Sequence, residues 1–233
     1  MDTSRPQHIG IVAVSAEGAA LCYRTICVEG ARLLGGYRHP EVTVQAAPLQ
    51  DYVERMEHGD WQGVANIMLD GARRLANIGA RFLICPDNTS HQALPYVERE
   101  SPLPWLHIAD AVAEAAAARG FRRVGLTGTR WLVDSEVYPQ RLGARGIDVV
   151  RPPEAERARV HHIIMDELVR GVFLAERIAD LQVIIDGLRA KGCEAVVLGC
   201  TELPLIINDG NSSLPTLDST RLLARAALRR AIG

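Results

Sequence analysis

Two stretches of this 233-residue chain lie over each other without a gap: GARFLICPDNT (residues 79–89) and GCEAVVLGCTE (192–202). At nearly the same spacing, IGIVAVS (9–15) matches VGLTGTR (124–130), so two apolar runs in each half correspond in order. Self-similarity of this kind points to two related halves, each built from the same unit. Short β-branched or apolar runs stand at 9–14, 42–46, 82–85, 124–128, 147–150 and 195–199. Between them, apolar residues recur at helical spacing near 17–33, 61–77, 109–118, 131–143, 155–169 and 175–190, with a closing helix from about 218. Such alternation of strand and helix is the pattern of a parallel sheet covered by helices. The expected fold is therefore α/β: two pseudo-symmetric domains with parallel-sheet cores, helices on both faces, and an active-site cleft between them. The first domain is expected over 1–103, completed by a C-terminal segment of about 208–233, and the second over 104–207.

Composition excludes several classes of function. Lys and Arg number 26 against 28 Asp and Glu, a net charge of -2, so there is no basic excess to hold a phosphate backbone. Nucleic acid is not an expected partner. No run approaches the roughly 20 apolar residues a membrane helix needs, and the apolar part of MDTSRPQHIGIVAV is short for an export signal. The expectation is a cytoplasmic protein without a membrane partner. Five cysteines, an odd number without framework spacing, argue against a disulfide scaffold and for working thiols. No Gly-rich dinucleotide fingerprint or phosphate loop occurs, so no cofactor is expected. His161 and His162 have no further ligands at metal spacing, and no metal is expected.

Open α/β sheets bind ligands at the carboxyl ends of their strands. The overlay sets Asp87 against Cys200 and Asn88 against Thr201 at two such ends. Ser15, Asn88, Thr89, Thr129 and Thr201 stand in the strand-to-helix turns, where their polar groups suit a developing oxyanion; helix capping accounts for the same placement. Glu202 and Glu17 are each open to two readings, as chemical groups or as acids favourable to a helix N-terminus. Cys85 belongs to the apolar run FLIC, where a thiol is commonly buried and inert. His91 either orients Asp87 or binds substrate, or else fixes the start of a helix.

IGIVAVSAEGAALCYR, PDNTSH (86–91), LHIADA (106–111), GLTGTR (125–130), PEAERARVHHIIMDEL (153–168) and VLGCTELPL (197–205) together resemble the aspartate/glutamate racemase family of cofactor-independent amino-acid racemases. The resemblance spans nearly the whole chain. It implies two pseudo-symmetric α/β domains, a homodimer, and a small-molecule substrate, an amino acid or related carboxylate, worked on by two cysteines acting as acid and base. Cys200 matches the second cysteine. At the first, the family's P-C-N-T reads P-D-N-T, with Asp87 in place of the thiol. Resemblance also makes Arg159, in ERARV, a binder of a side-chain carboxylate; as a surface residue it would instead pair with Glu156 or acids a turn away.

The chemistry implied is removal of the α-proton on one face and its return on the other, with the carboxylate stabilised as it becomes enolate-like. Ordinary pKa values near 3.9 for Asp and 8.5 for Cys lie roughly 4.6 units, or about 6 kcal/mol, apart. Asp87 as carboxylate and Cys200 as thiol is then the default pair, and the two enantiomers are expected to be handled unequally. A carboxylate at 87 also disfavours an acidic substrate side chain. Two alternatives stand beside the racemase: a decarboxylase or isomerase of the same superfamily using Cys200 alone, and a non-catalytic small-molecule binding protein.

Overall fold

Each half of the chain closes a four-stranded parallel sheet, and both sheets have the same strand order. The computed structural model describes residues 5–233; residues 1–4, part of the N-terminal stretch read above for an export signal, lie outside the described residues. The first sheet contains β1 (Ile9–Ala13), β2 (Val42–Ala46), β3 (Phe82–Ile84) and β4 (Trp105–Leu106), in the order β2-β1-β3-β4. The second contains β5 (Arg123–Thr127), β6 (Asp148–Val150), β7 (Ala195–Leu198) and β8 (Thr216–Asp218), in the order β6-β5-β7-β8. All pairings are parallel. Every strand therefore ends on the same edge as its neighbours, and the loops that follow them gather there.

The chain divides into two compact units, residues 1–108 with 220–233, and residues 109–219. The expected turning points, 103/104 and 207/208, fall short of these because β4 and β8 each add a fourth strand before the chain crosses. In the first unit, Ile9, Ile11, Phe82 and Ile84 project to one face of the sheet. There they bury against Cys22 and Ile26 of α1 (Ala16–Leu34) and Leu223, Ala227 and Leu228 of α10 (Ser219–Ile232). Alternate residues project the other way. A side chain at Gly10 would meet Leu75 of α3 (Trp61–Asn77), and Gly71 of α3 lies against Val12 and Gln45. Helices thus cover both faces. In the second unit Val196 and Leu198 pack with Leu181, Ile184, Ile185 and Leu188 of α9 (Ala175–Ala190) and Val160 of α8 (Glu154–His162).

Gly10 and Gly125, paired by the sequence overlay, do the same work. A Cβ would stand 2.6 Å from Leu83 Cδ2 at the first and 2.6 Å from Leu188 Cδ1 at the second. The central strand of each sheet therefore lacks a side chain where a leucine passes over it. Among the described residues no helix is long and apolar enough to cross a membrane.

Candidate active site

The apolar run at 82–85 stops because Pro86 cannot extend the ladder. After it the chain enters a 3-10 turn at Thr89–Ala93. Asp87 closes that turn. Its Oδ1 accepts from the Ser90 amide at 2.8 Å and from Ser90 Oγ at 2.7 Å. Bonds of this kind favour the ionised carboxylate. From Phe82 to His91, Asp87 is the single residue that is not buried.

His91 pins the same loop from below. Its Nε2 accepts from the Ile108 amide at 3.1 Å, which leaves Nδ1 to donate to the Asp87 carbonyl at 2.8 Å, and its ring lies 4.6 Å from that of His107. Of the roles read for His91, the structure shows the first in its main-chain form: the ring holds the Asp87 carbonyl. Cys85 is fully buried, and burial together with the nearby Asp87 charge pushes its thiol pKa well up. That is the inert thiol of a strand. Tyr52, buried on α2 (Leu49–Glu57), also lies close enough to Asp87 and Cys85 to have its pKa raised by their charges, after burial itself.

The second unit places different groups at the corresponding strand end. Cys200 follows β7 after Gly199 and is 8% exposed. Its Sγ donates to Glu202 Oε2 at 2.9 Å, and Thr201 Oγ1 donates to the same oxygen at 3.0 Å. Glu202 itself is 2% exposed, and its Oε1 is buried without a hydrogen-bond partner. A buried carboxylate with one oxygen unsatisfied costs free energy unless a donor or a proton reaches it. Beside it β5 is followed by Gly128, whose missing side chain lets the Gly199 carbonyl approach; a Cβ would lie 2.9 Å from that oxygen.

Thr129 and Ser15 both cap. Thr129 Oγ1 accepts from Leu132 N at 3.4 Å, and Ser15 Oγ from Gly18 N at 3.2 Å. Asn88, Thr89 and Thr201 are buried in their turns. Arg159, the expected carboxylate binder, has a protein partner: Asp180, at 2.6 Å, which also holds Arg177 at 3.1 Å. These guanidinium donors hold the Asp180 carboxyl below its usual range.

Three residues were missed by sequence reasoning. Ser90 was detectable from its i,i+3 spacing to Asp87. Arg130 follows Thr129 at the end of β5 and forms no ion pair among the described residues. His161 lies under it, its Nδ1 accepting from Arg130 N at 3.4 Å and its ring edge-on to Trp131 at 4.9 Å. Burial first, then the charge of Arg130, holds the His161 pKa below its ordinary value. Only folding brings residues 130 and 161 together, so no spacing announces them. Among the described residues no group of three His, Cys, Asp or Glu is placed to hold a metal ion.

The family model for Asp/Glu/hydantoin racemases matches residues 11–227. The chain belongs to the Asp/Glu/hydantoin racemase family. As a member of that family it is an enzyme of the isomerase type. A broad-specificity amino-acid racemase of Bacillus subtilis is 21% identical over 194 residues, covering 82% of this chain and 81% of that one. A glutamate racemase of Thermus thermophilus is 30% identical over 158 residues, 65% of this chain and 55% of the relative, so the match spans about half of that protein. The structure of an aspartate racemase homologue from Pyrococcus horikoshii is 30% identical with a TM-score of 0.82, covering 97% of this chain and all of the other. A glutamate racemase from Francisella tularensis shares the fold at 15% identity, TM-score 0.68, over 96% and 80% of the two chains. Against these racemases the family fold is the paired-sheet arrangement described above.

Proposed function

We propose that the chain is a cofactor-independent amino-acid racemase in which Asp87 and Cys200 work on opposite faces of the substrate Cα. The observation that carries this reading is the pair of matching strand-end loops, one presenting the carboxylate of Asp87 and the other a thiol hydrogen-bonded to Glu202. In one direction the Asp87 carboxylate takes the α-proton and the Cys200 S–H returns one from the other side. The reaction leaves a protonated Asp87 and a thiolate, and the reverse direction starts from that state. The Cys200 S–H, hydrogen-bonded to Glu202 Oε2 at 2.9 Å, is the donor at rest. Arg159, expected to bind a side-chain carboxylate, is engaged by Asp180, and Arg130, which forms no ion pair among the described residues, is the carboxylate-binding cation of this proposal in a different role. Its partner is the α-carboxylate common to every amino acid. A homodimer acting in the cytoplasm completes the proposal.

The Ser90 bonds to Asp87 Oδ1 favour a second reading. A carboxylate held as a turn cap is a weaker base, and decarboxylation of a disubstituted malonate needs the Cys200 donor alone.

Incubation in D₂O with amino acids and malonates, followed by NMR and polarimetry, tests both readings. Racemisation predicts deuterium at Cα with loss of optical activity, and decarboxylation predicts carbon dioxide release instead. Asp87→Asn retains an oxygen for Ser90 and keeps the fold, yet abolishes racemisation. Full activity in that variant rejects Asp87 as the base.

A further inference from the structure

A concave cavity of about 400 Å³ opens in the first unit at the carboxyl ends of β1 and β2. Of its eleven lining residues, six are alanine and none carries a charge; Ser15, Tyr23, Val44 and Leu49 supply the larger walls. The volume exists because α1 presents Ala16, Ala19 and Ala20 where β2 ends in Ala46 and Ala47 follows it. Larger side chains at those positions would have filled it.

The cavity adjoins the Asp87 loop by strand register. Ile11 pairs with Ile84, so the segment after β1, which supplies Val14 and Ser15 to the cavity wall, and the segment after β3, which carries Asp87, leave the same edge of the sheet from adjacent strands. Neighbouring strands stand about 4.8 Å apart, so the cavity opens at the end of the strand next to the one that Asp87 follows. Ser15, read from the sequence as a substrate-binding residue, lies in its wall. An acidic side chain would find no cation among these walls and a negative charge next to them, whereas an apolar side chain would find matching surface.

We propose that this cavity is the substrate side-chain subsite, and that the enzyme acts on amino acids with uncharged, apolar side chains of the size of leucine, methionine or phenylalanine. The proposal rests on the racemase reading above. It names a substrate class other than aspartate and glutamate, and it gives Ala20 and Ala46, two exposed alanines outside the proton-transfer machinery, a role in selectivity.

The test is Cα–H exchange in D₂O, measured as kcat/KM for leucine, methionine, phenylalanine, alanine, aspartate and glutamate, with the unaltered protein and with Ala20→Phe and Ala46→Leu. The unaltered protein is expected to favour the large apolar amino acids over aspartate and glutamate by at least about tenfold. Filling the cavity is expected to lower kcat/KM for the large apolar substrates about 10–100-fold, the scale of one or two misplaced methylenes, while alanine changes less than about twofold. Preference for aspartate or glutamate overturns the subsite and leaves the racemase reading standing. Equal loss on all substrates together with a changed oligomeric state by light scattering also overturns it, because the cavity is then an interface between copies. Exchange with no amino acid rejects the racemase reading and the subsite together.

Discussion

The loops after β3 and β7 occupy equivalent places in the two halves and hold their reactive groups in opposite ways. Asp87 is held by donors: two hydrogen bonds from Ser90 reach its Oδ1. Cys200 is held by an acceptor, and donates its hydrogen bond to a carboxylate that is itself buried. The two loops therefore differ in the hydrogen-bond role they give the groups at 87 and 200, acceptor in one and donor in the other, and under the proposed function that difference gives the reaction a preferred direction of attack.

Making the loops alike is the sharpest way to break this comparison. Asp87→Cys restores a thiol to the first loop, and the ratio of kcat values for the two enantiomers is expected to move toward one by about tenfold or more, a fraction of the roughly 4.6-unit gap between the two acids. An unmoved ratio, measured by circular dichroism from each pure enantiomer, would show that the asymmetry lies elsewhere. Glu202→Gln leaves an acceptor beside Cys200 but removes the site that can take its proton. We expect kcat to fall about 10–100-fold with a changed pH profile and little change in KM; an unchanged pH profile would make Glu202 purely structural.

Stability separates the halves more mildly. Gly125→Ala drives a methyl toward Leu188 Cδ1, Cγ and Cβ, so α9 must shift, at a cost of about 1–3 kcal/mol read by denaturant unfolding. Gly10→Ala meets mainly the end of Leu83 at its shortest contact and should cost less. The reverse order would show that Leu83 on β3 is held more tightly than Leu188 on α9. Ser90→Ala removes one of the two donors to Asp87 and should lower stability by about 1 kcal/mol.

The smallest effect is acid sensitivity. Hydrogen bonds from the Thr216 amide and hydroxyl hold the Asp209 carboxyl below its usual range, and the Arg122 and Arg123 amides do the same for Glu194. A depressed folded pKa contributes stability above the ordinary carboxyl value near 4, and that contribution is lost as pH falls through the folded value. Melting temperature should therefore drop from about pH 5 downward, and less steeply in Asp209→Asn. An identical slope in that variant would remove Asp209 from the account.

Where the sequence carried long periodic runs, it was legible to the residue: β2, α3 and α9 have the bounds expected from pattern alone. Short elements escaped. β4 and β8 have two and three residues, too few for a period, and α2 buries only Tyr52 and Met56, a stripe of one turn. The helix expected over 131–143 is two, α6 (Arg130–Val133) and α7 (Val137–Gly143), because Ser135 turns back on the Leu132 carbonyl. The pattern over 155–169 is helical throughout but changes winding, from α to a π-type turn at Ile163–Glu167. At the site, the repeat located Asp87 and Cys200 because backbone topology is written in order along the chain. Ser90's second bond, the pairing of Arg159 with Asp180 and the meeting of Arg130 with His161 depend on side-chain directions that order alone does not specify.

His91 reaches position 87 through the main-chain carbonyl, a group every amino acid possesses. Its other nitrogen is tied to Ile108, so the path of the loop is fixed without reference to the side chain at 87. Evolution can thus exchange the side chain at that point as one changes the bit in a drill, with the chuck left tight. An aspartate and a cysteine at 87 would be held by the same main-chain bond, so the loop can change its chemistry without changing its path.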